Sequence, residues 1–254
     1  MREHWILPEA TVVHINAGIA ALMAAFVLGK RQGHPAKISP PHNLPFAVLG
    51  AGLLWFGWFG FNAGGVCASN GSAANAFVVT HVAAAAAGFI WAIIEWFRGK
   101  PTILGIITGA VAGLVAITPA FGCVDAMGAL GFGIGASIFS YLAVAFVKEK
   151  CGYDDSLDVF GVHGIAGIGG ALAAGLWATA AVPGNDTNGV FGGNSGQMMI
   201  QLKAVIYTLV YSGIVSFVLL KLVDLTIGLK ATEHNERVGL DLTEHAETAY
   251  TIMD

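Results

Sequence analysis

Two histidines stand where ionisable groups are expensive, inside long apolar runs: His14 in Thr-Val-Val-His-Ile-Asn and His163 in Asp-Val-Phe-Gly-Val-His-Gly. Each has glycine or small residues nearby, which leaves space around the ring. Two neutral imidazoles can share one hydrogen bond, one donating and one accepting. Such a pair is satisfied without charge and still able to hold or pass a proton. A third histidine, His81, lies beside the featureless run Ala83–Ala87 and reads as structural. The block Trp55-Phe-Gly-Trp-Phe-Gly-Phe-Asn-Ala-Gly64 is aromatic. It fits either a membrane-interface girdle or a lined mouth, because Trp58 and Phe61, three apart, share a helical face. Their π-faces would attract a small cation, and Leu54, four before Trp58, continues that face as an apolar wall. Asp154, Asp155 and Asp158 sit ahead of the His163 run, where carboxylates cap helix N–H groups. Val159 lies four before His163, on its face of the helix.

These groups must be positioned by membrane helices. Of 254 residues 56% are hydrophobic and 11% charged, with mean hydropathy +0.71, whereas a soluble domain carries about a quarter charged residues. Apolar runs long enough to cross a ~30 Å hydrocarbon core recur seven times: 10–29, 44–64, 73–97, 102–121, 126–147, 158–182 and 199–228. The fold class is therefore all-α, a polytopic membrane helix bundle. Lys30, Arg31, Lys37, Arg98, Lys100, Lys148 and Lys150 fall in alternate loops, and the intervening loops carry no Lys or Arg. The positive-inside rule then places the N-terminus outside and the tail from Leu229 in the cytoplasm. Residues 1–8 lack the pattern of a signal peptide.

Of the 35 glycines most lie within the apolar runs, where small residues let helices approach closely. Gly105, Gly109 and Gly113 recur every four residues, as do Gly131 and Gly135, so each set lays a flat stripe on one helix face. Pro101 falls at the expected first turn of span four, where its missing N–H costs little. Pro119 is expected to break or kink the end of that span, and Asp224 reads as a helix-end residue. Gly161 and Gly164 are expected to keep the backbone near His163 close to a pore. A net charge of −4 argues against a nucleic-acid partner. Cys67, Cys123 and Cys151 form no CxxC or metal-ligand pattern. No nucleophile, metal or phosphate motif stands out, so neither an enzyme nor a cofactor is expected.

The blocks Thr11-Val-Val-His14-Ile-Asn-Ala-Gly, Gly57-Trp-Phe-Gly-Phe61-Asn-Ala-Gly, Asp158-Val-Phe-Gly-Val-His163-Gly and Asp224-Leu-Thr-Ile-Gly-Leu-Lys resemble the ammonium transporter (Amt/Rh) family. The tail Glu236-Arg-Val-Gly-Leu-Asp-Leu-Thr-Glu-His245 resembles its cytoplasmic C-terminal segment. By position, the resemblance implies that His14 and His163 are twin pore histidines and Phe61 one of two stacked gate phenylalanines. It makes Trp58, Leu54 and Val159 pore-wall positions, and Asp158 an acidic support of the inner pore. It implies a channel or transporter passing ammonium as ammonia plus a histidine-relayed proton, a homotrimer in the plasma membrane, and a tail able to dock a PII-type signalling protein. An ammonium-sensing regulatory protein, or a non-functional remnant, is the alternative.

Family protomers have eleven helices in two inverted five-helix repeats plus a final helix. This sequence resembles the last seven, so the expectation is a protomer whose N-terminal helices are missing, and which does not transport alone. The expected organisation is a divergent segment 1–9, a membrane domain 10–228 and a tail 229–254. The family's Asp before the first pore histidine falls at Ile6, and Gly65 replaces a recruitment-site serine of some members.

Overall fold

The computed structural model describes residues 8–35 and 41–248. Expectations for Ile6, and for most of the divergent segment 1–9, lie outside the described residues. The chain is all-helical. Its principal elements are α1 (Pro8–Leu28), α2 (Leu44–Gly65), α3 (Gly71–Arg98), α4 (Ile103–Ile117), α5 (Ala126–Leu142), α6 (Lys148–Cys151), α7 (Ala166–Trp177) and α8 (Gly196–Thr226). Two short helices, α9 (Glu233–Val238) and α10 (Leu240–His245), follow in the tail. Six helical segments, from α2 onward, are long and apolar enough to cross a membrane, and α1 adds a shorter apolar stretch, Val12–Leu28. This is an integral multi-pass membrane protein.

Helix starts are set by short polar side chains that satisfy free N–H groups. Asn43 accepts from the N–H of Phe46, Asn70 from those of Ser72 and Ala73, Thr102 from Gly105, and Asp125 from Gly128. The Thr102 cap corrects one expectation: Pro101 stands ahead of the cap rather than in the first turn of α4. Pro119 does end the regular helix, and Thr118–Ala120 form a 3-10 turn. The sixth span stops at Trp177, short of the expected Val182, because residues beyond it fold back on the helix end. There the N–H of Gly189 reaches the carbonyl of Ala178 at 2.7 Å.

The bundle is organised around α3. A Cβ on Gly113 of α4 or on Gly133 of α5 would overlap the same carbonyl oxygen, that of Ala83, and one on Gly109 would lie 2.6 Å from Trp91 Cβ. The alanine run Ala83–Ala87 is thus the floor on which two neighbouring helices rest. Gly131 and Gly135 do not join such a seam. A side chain on Gly131 would meet nothing within 4 Å, and both glycines line an apolar cavity of about 130 Å³ with Gly169, Ala173 and Trp177.

At the basic end, the α1–α2 loop ties two other segments together. Arg31 grips Asp154 by its backbone N–H (2.8 Å), Nε (2.9 Å) and an Nη (2.7 Å). The next residue, Gln32, donates its N–H to Glu236 Oε1 (2.7 Å) and accepts from Arg237 Nε (2.9 Å). The Arg31 side-chain hydrogen bond holds the Asp154 carboxyl down at about 2. A value depressed on folding stabilises the fold above the ordinary carboxylate range, about pH 4, and that contribution is lost as pH falls towards 2. Hydrogen exchange, corrected for intrinsic rates, is expected to find residues 29–33 protected at pH 5 and deprotected near pH 2. Equal protection at both would contradict the clasp.

Candidate functional site

His163 rides on a π-helical turn, Phe160–Ile165, that leads into α7. The three acids ahead of it divide the work of starting that turn. Asp155 accepts from the N–H of Phe160 at 2.9 Å. Asp158, in the left-handed region at φ +56, accepts the N–H of Val162 on its carbonyl and pairs with Lys148 Nζ through its carboxylate at 2.6 Å. Asp154 holds Arg31. The capping expected of these residues thus falls to Asp155, with Asp158 bracing the turn against α6.

The π-turn brings His163 against His14 of α1, with the two Nδ1 atoms 3.3 Å apart and ring centroids at 5.4 Å. One Nδ1 must carry the hydrogen and the other accept it. His14 is only 5% exposed. Its ring lies nearly parallel to the indole of Trp58, at 5.2 Å and 17°, with Phe61 at 6.2 Å. Trp58 and Phe61 meet edge to face at 5.7 Å, so the two residues expected on one face of α2 do come together over the histidine. With Nδ1 engaged, the Nε2 of His14 is buried without a hydrogen-bond partner among the described residues. A buried polar atom left open is costly, and here it is one that can give or take a hydrogen.

The platform is itself pinned. Trp58 Nε1 donates to Thr118 Oγ1 at 3.0 Å, and that hydroxyl donates to the carbonyl of Leu114 at 2.8 Å. One turn on, Asn62 Nδ2 donates to Thr80 Oγ1 at 3.0 Å, and Thr80 donates to the carbonyl of Ala76. Each threonine spends its hydrogen on its own helix, which leaves its lone pairs to α2. Trp58 and Asn62 are the buried residues of α2, so these hydrogen bonds fix the helix's rotation. Thr118→Val keeps the shape but strands a buried indole N–H, and is expected to cost about 1–3 kcal/mol of stability. Thr118→Ser should lose less; equilibrium unfolding in mixed micelles compares them, and equal stability of Thr118→Val and wild type would sink the assignment.

Four of the residues singled out in sequence, His14, His163, Trp58 and Phe61, form one contiguous group. Leu54, a turn before Trp58, is 45% exposed and Phe61 50%, so this side of the group opens onto a face that the chain's described residues leave uncovered. Val159 is half-buried one turn before His163. His81 departs from the buried structural role expected of it: its side chain is exposed on α3, beside the rings of Trp55 (5.3 Å) and Phe59 (6.1 Å). Gly161 does not face the histidines; a Cβ there would lie 2.7 Å from Val144 Cγ2. Thr118, Thr80 and Asn62 were missed. Their signal is faint: a threonine whose hydroxyl can donate to the carbonyl four residues back on an apolar helix, opposite an aromatic block.

The model of the Ammonium Transporter Family matches residues 8–250. The chain belongs to that family. It is 48% identical over 241 residues to ammonium transporter Amt1 of Archaeoglobus fulgidus, an alignment spanning 94% of the chain and 61% of that relative. Among solved structures, Candida albicans Mep2 superposes with TM-score 0.83 at 33% identity, covering 91% of the chain and 53% of Mep2. A structure described as a sensor Amt protein gives 0.84 at 29% identity, with 94% and 60% covered. The chain therefore spans between half and about three fifths of the length of these family members. The histidine pair and its aromatic platform lie within the matched region.

Proposed function

We propose that this chain forms one wall of a conduit that passes ammonium across a membrane as neutral ammonia, with the accompanying proton held and handed on by His14 and His163. The observation that carries this is the 3.3 Å Nδ1–Nδ1 pair with the His14 Nε2 left open. Carrying NH₄⁺ intact through an apolar passage costs its hydration. An imidazole that takes the proton leaves a small neutral molecule to cross, whereas K⁺ has no proton to give and is excluded.

Trp58 and Phe61 meet the cation before it is stripped, through their π-faces. Leu54 and Val159 continue the apolar lining, and Asp158 acts from outside it, through Lys148, on the turn that bears His163. The basic loops face the cytoplasm of a cell membrane, three protomers assemble with one conduit each, and the tail faces a PII-type partner. The rest of the conduit wall is contributed by four N-terminal helices of an eleven-helix inverted-repeat protomer, which cover the open face at Leu54 and Phe61.

Methylammonium uptake in cells lacking their own carriers tests the proposal. The 254-residue chain alone should stay at background. Placed behind the N-terminal part of the Archaeoglobus relative, it should transport. Background uptake by a fusion that reaches the membrane in folded form would contradict the assignment.

A further inference from the structure

Each histidine of the pair is followed, four residues on, by a glycine: His14-Ile-Asn-Ala-Gly18 and His163-Gly-Ile-Ala-Gly167. On a helix a residue four positions on lies beside the first, one turn away. The two segments cross with opposite direction, and each glycine receives the other histidine's residue. A Cβ on Gly18 would overlap the Cα and N of Gly164 and stand 3.1 Å from the carbonyl carbon of His163. A Cβ on Gly167 would stand 3.1 Å from His14 Cβ and 3.3 Å from the N–H nitrogen of Ile15. Backbone therefore touches backbone on both sides of the histidine pair.

We infer that Gly18 and Gly167 are positioning residues, and that this reciprocal His-x-x-x-Gly crossing sets the separation at which the two imidazoles share a hydrogen. The inference rests on the reading of His14 and His163 as a proton-sharing pair. At 3.3 Å the pair already sits at the long end of hydrogen bonding, where a few tenths of an ångström decide whether the bond exists. Nonbonded carbon atoms settle at about 3.5–4.0 Å. Alanine at 167 therefore displaces His14 by a few tenths, and alanine at 18 pushes α1 off the π-turn by more. Gly169, two residues further along α7, has nothing within 4 Å of a Cβ and serves as the control.

The test is ring ¹⁵N NMR of the whole chain in lipid nanodiscs with ¹⁵N-labelled histidine. Wild type should show a coupling between two Nδ1 nuclei across the shared hydrogen, assigned by its disappearance in His14→Ala and His163→Ala. Gly169→Ala should retain the coupling. Gly167→Ala should lose it while keeping wild-type helix content, a result that loss of fold does not produce. Gly18→Ala should lose it too, and the milder Gly167→Ala decides the matter if Gly18→Ala does not fold. Full coupling in folded Gly167→Ala would overturn the inference and leave the paired-histidine reading standing. Absence of the coupling in wild type would overturn that reading itself.

Discussion

Alanine in place of His163 is expected to lower ammonium uptake by about a hundredfold or more, the range in which positioned proton-transfer groups contribute. The substitution removes the partner of His14 Nδ1, and His14 is then a buried imidazole with neither nitrogen engaged by the pair. The proton released by ammonium has one acceptor instead of two and no neighbour to pass to. His14→Ala is expected to be at least as damaging, since it also removes the ring stacked on Trp58. Leu54→Ala and Val159→Ala remove apolar lining without touching the proton path, and are expected to change uptake by less than about tenfold. Rates are measured in the fusion described above, normalised to protein in the membrane. Wild-type uptake by folded His163→Ala would remove the histidines from the mechanism.

Gly113→Ala and Gly133→Ala should each destabilise the bundle by about 1–3 kcal/mol or more, the usual cost of forcing a methyl group into a packed seam. Both new methyls would strike the carbonyl oxygen of Ala83. That atom is backbone and cannot rotate aside, so α4 or α5 must move bodily away from α3. Gly131→Ala, two residues before Gly133 and so on another face of α5, meets open space and is expected to be neutral. Thermal unfolding in detergent distinguishes the cases. Gly113→Ala melting with wild type would mean that α3 is not the floor of the packing.

The contrast between Gly131 and Gly133 shows where sequence reading stops. Regular four-residue spacing of small residues marks a smooth face, but nothing in the spacing says which face meets another helix. The stripe through Gly109 and Gly113 does meet α3; the one through Gly131 and Gly135 borders a cavity. The partner surface, Ala83–Ala87, looked featureless because its role is to be flat. His14 and His163 were legible because ionisable groups in apolar runs are costly enough to demand a reason, and the motif order joined them to one family. Their pairing was open to expectation from residue type and the family resemblance, but the helix crossing that joins residues 149 positions apart was not legible. Nor was the support of Trp58 by Thr118, which needs the third dimension to bring α2 against the end of α4. His81 was read as a buried structural residue from the alanine run beside it, and its exposure follows from the side of α3 it occupies, which the spacing alone does not mark.

The central claim, that a proton leaves ammonium and travels separately along His14 and His163, is tested most directly by ion selectivity. In proteoliposomes bearing the transport-competent fusion, an ammonium gradient should drive a current, and an equal potassium gradient should drive none. A potassium current comparable to the ammonium current would mean that intact cations pass, and would contradict the account.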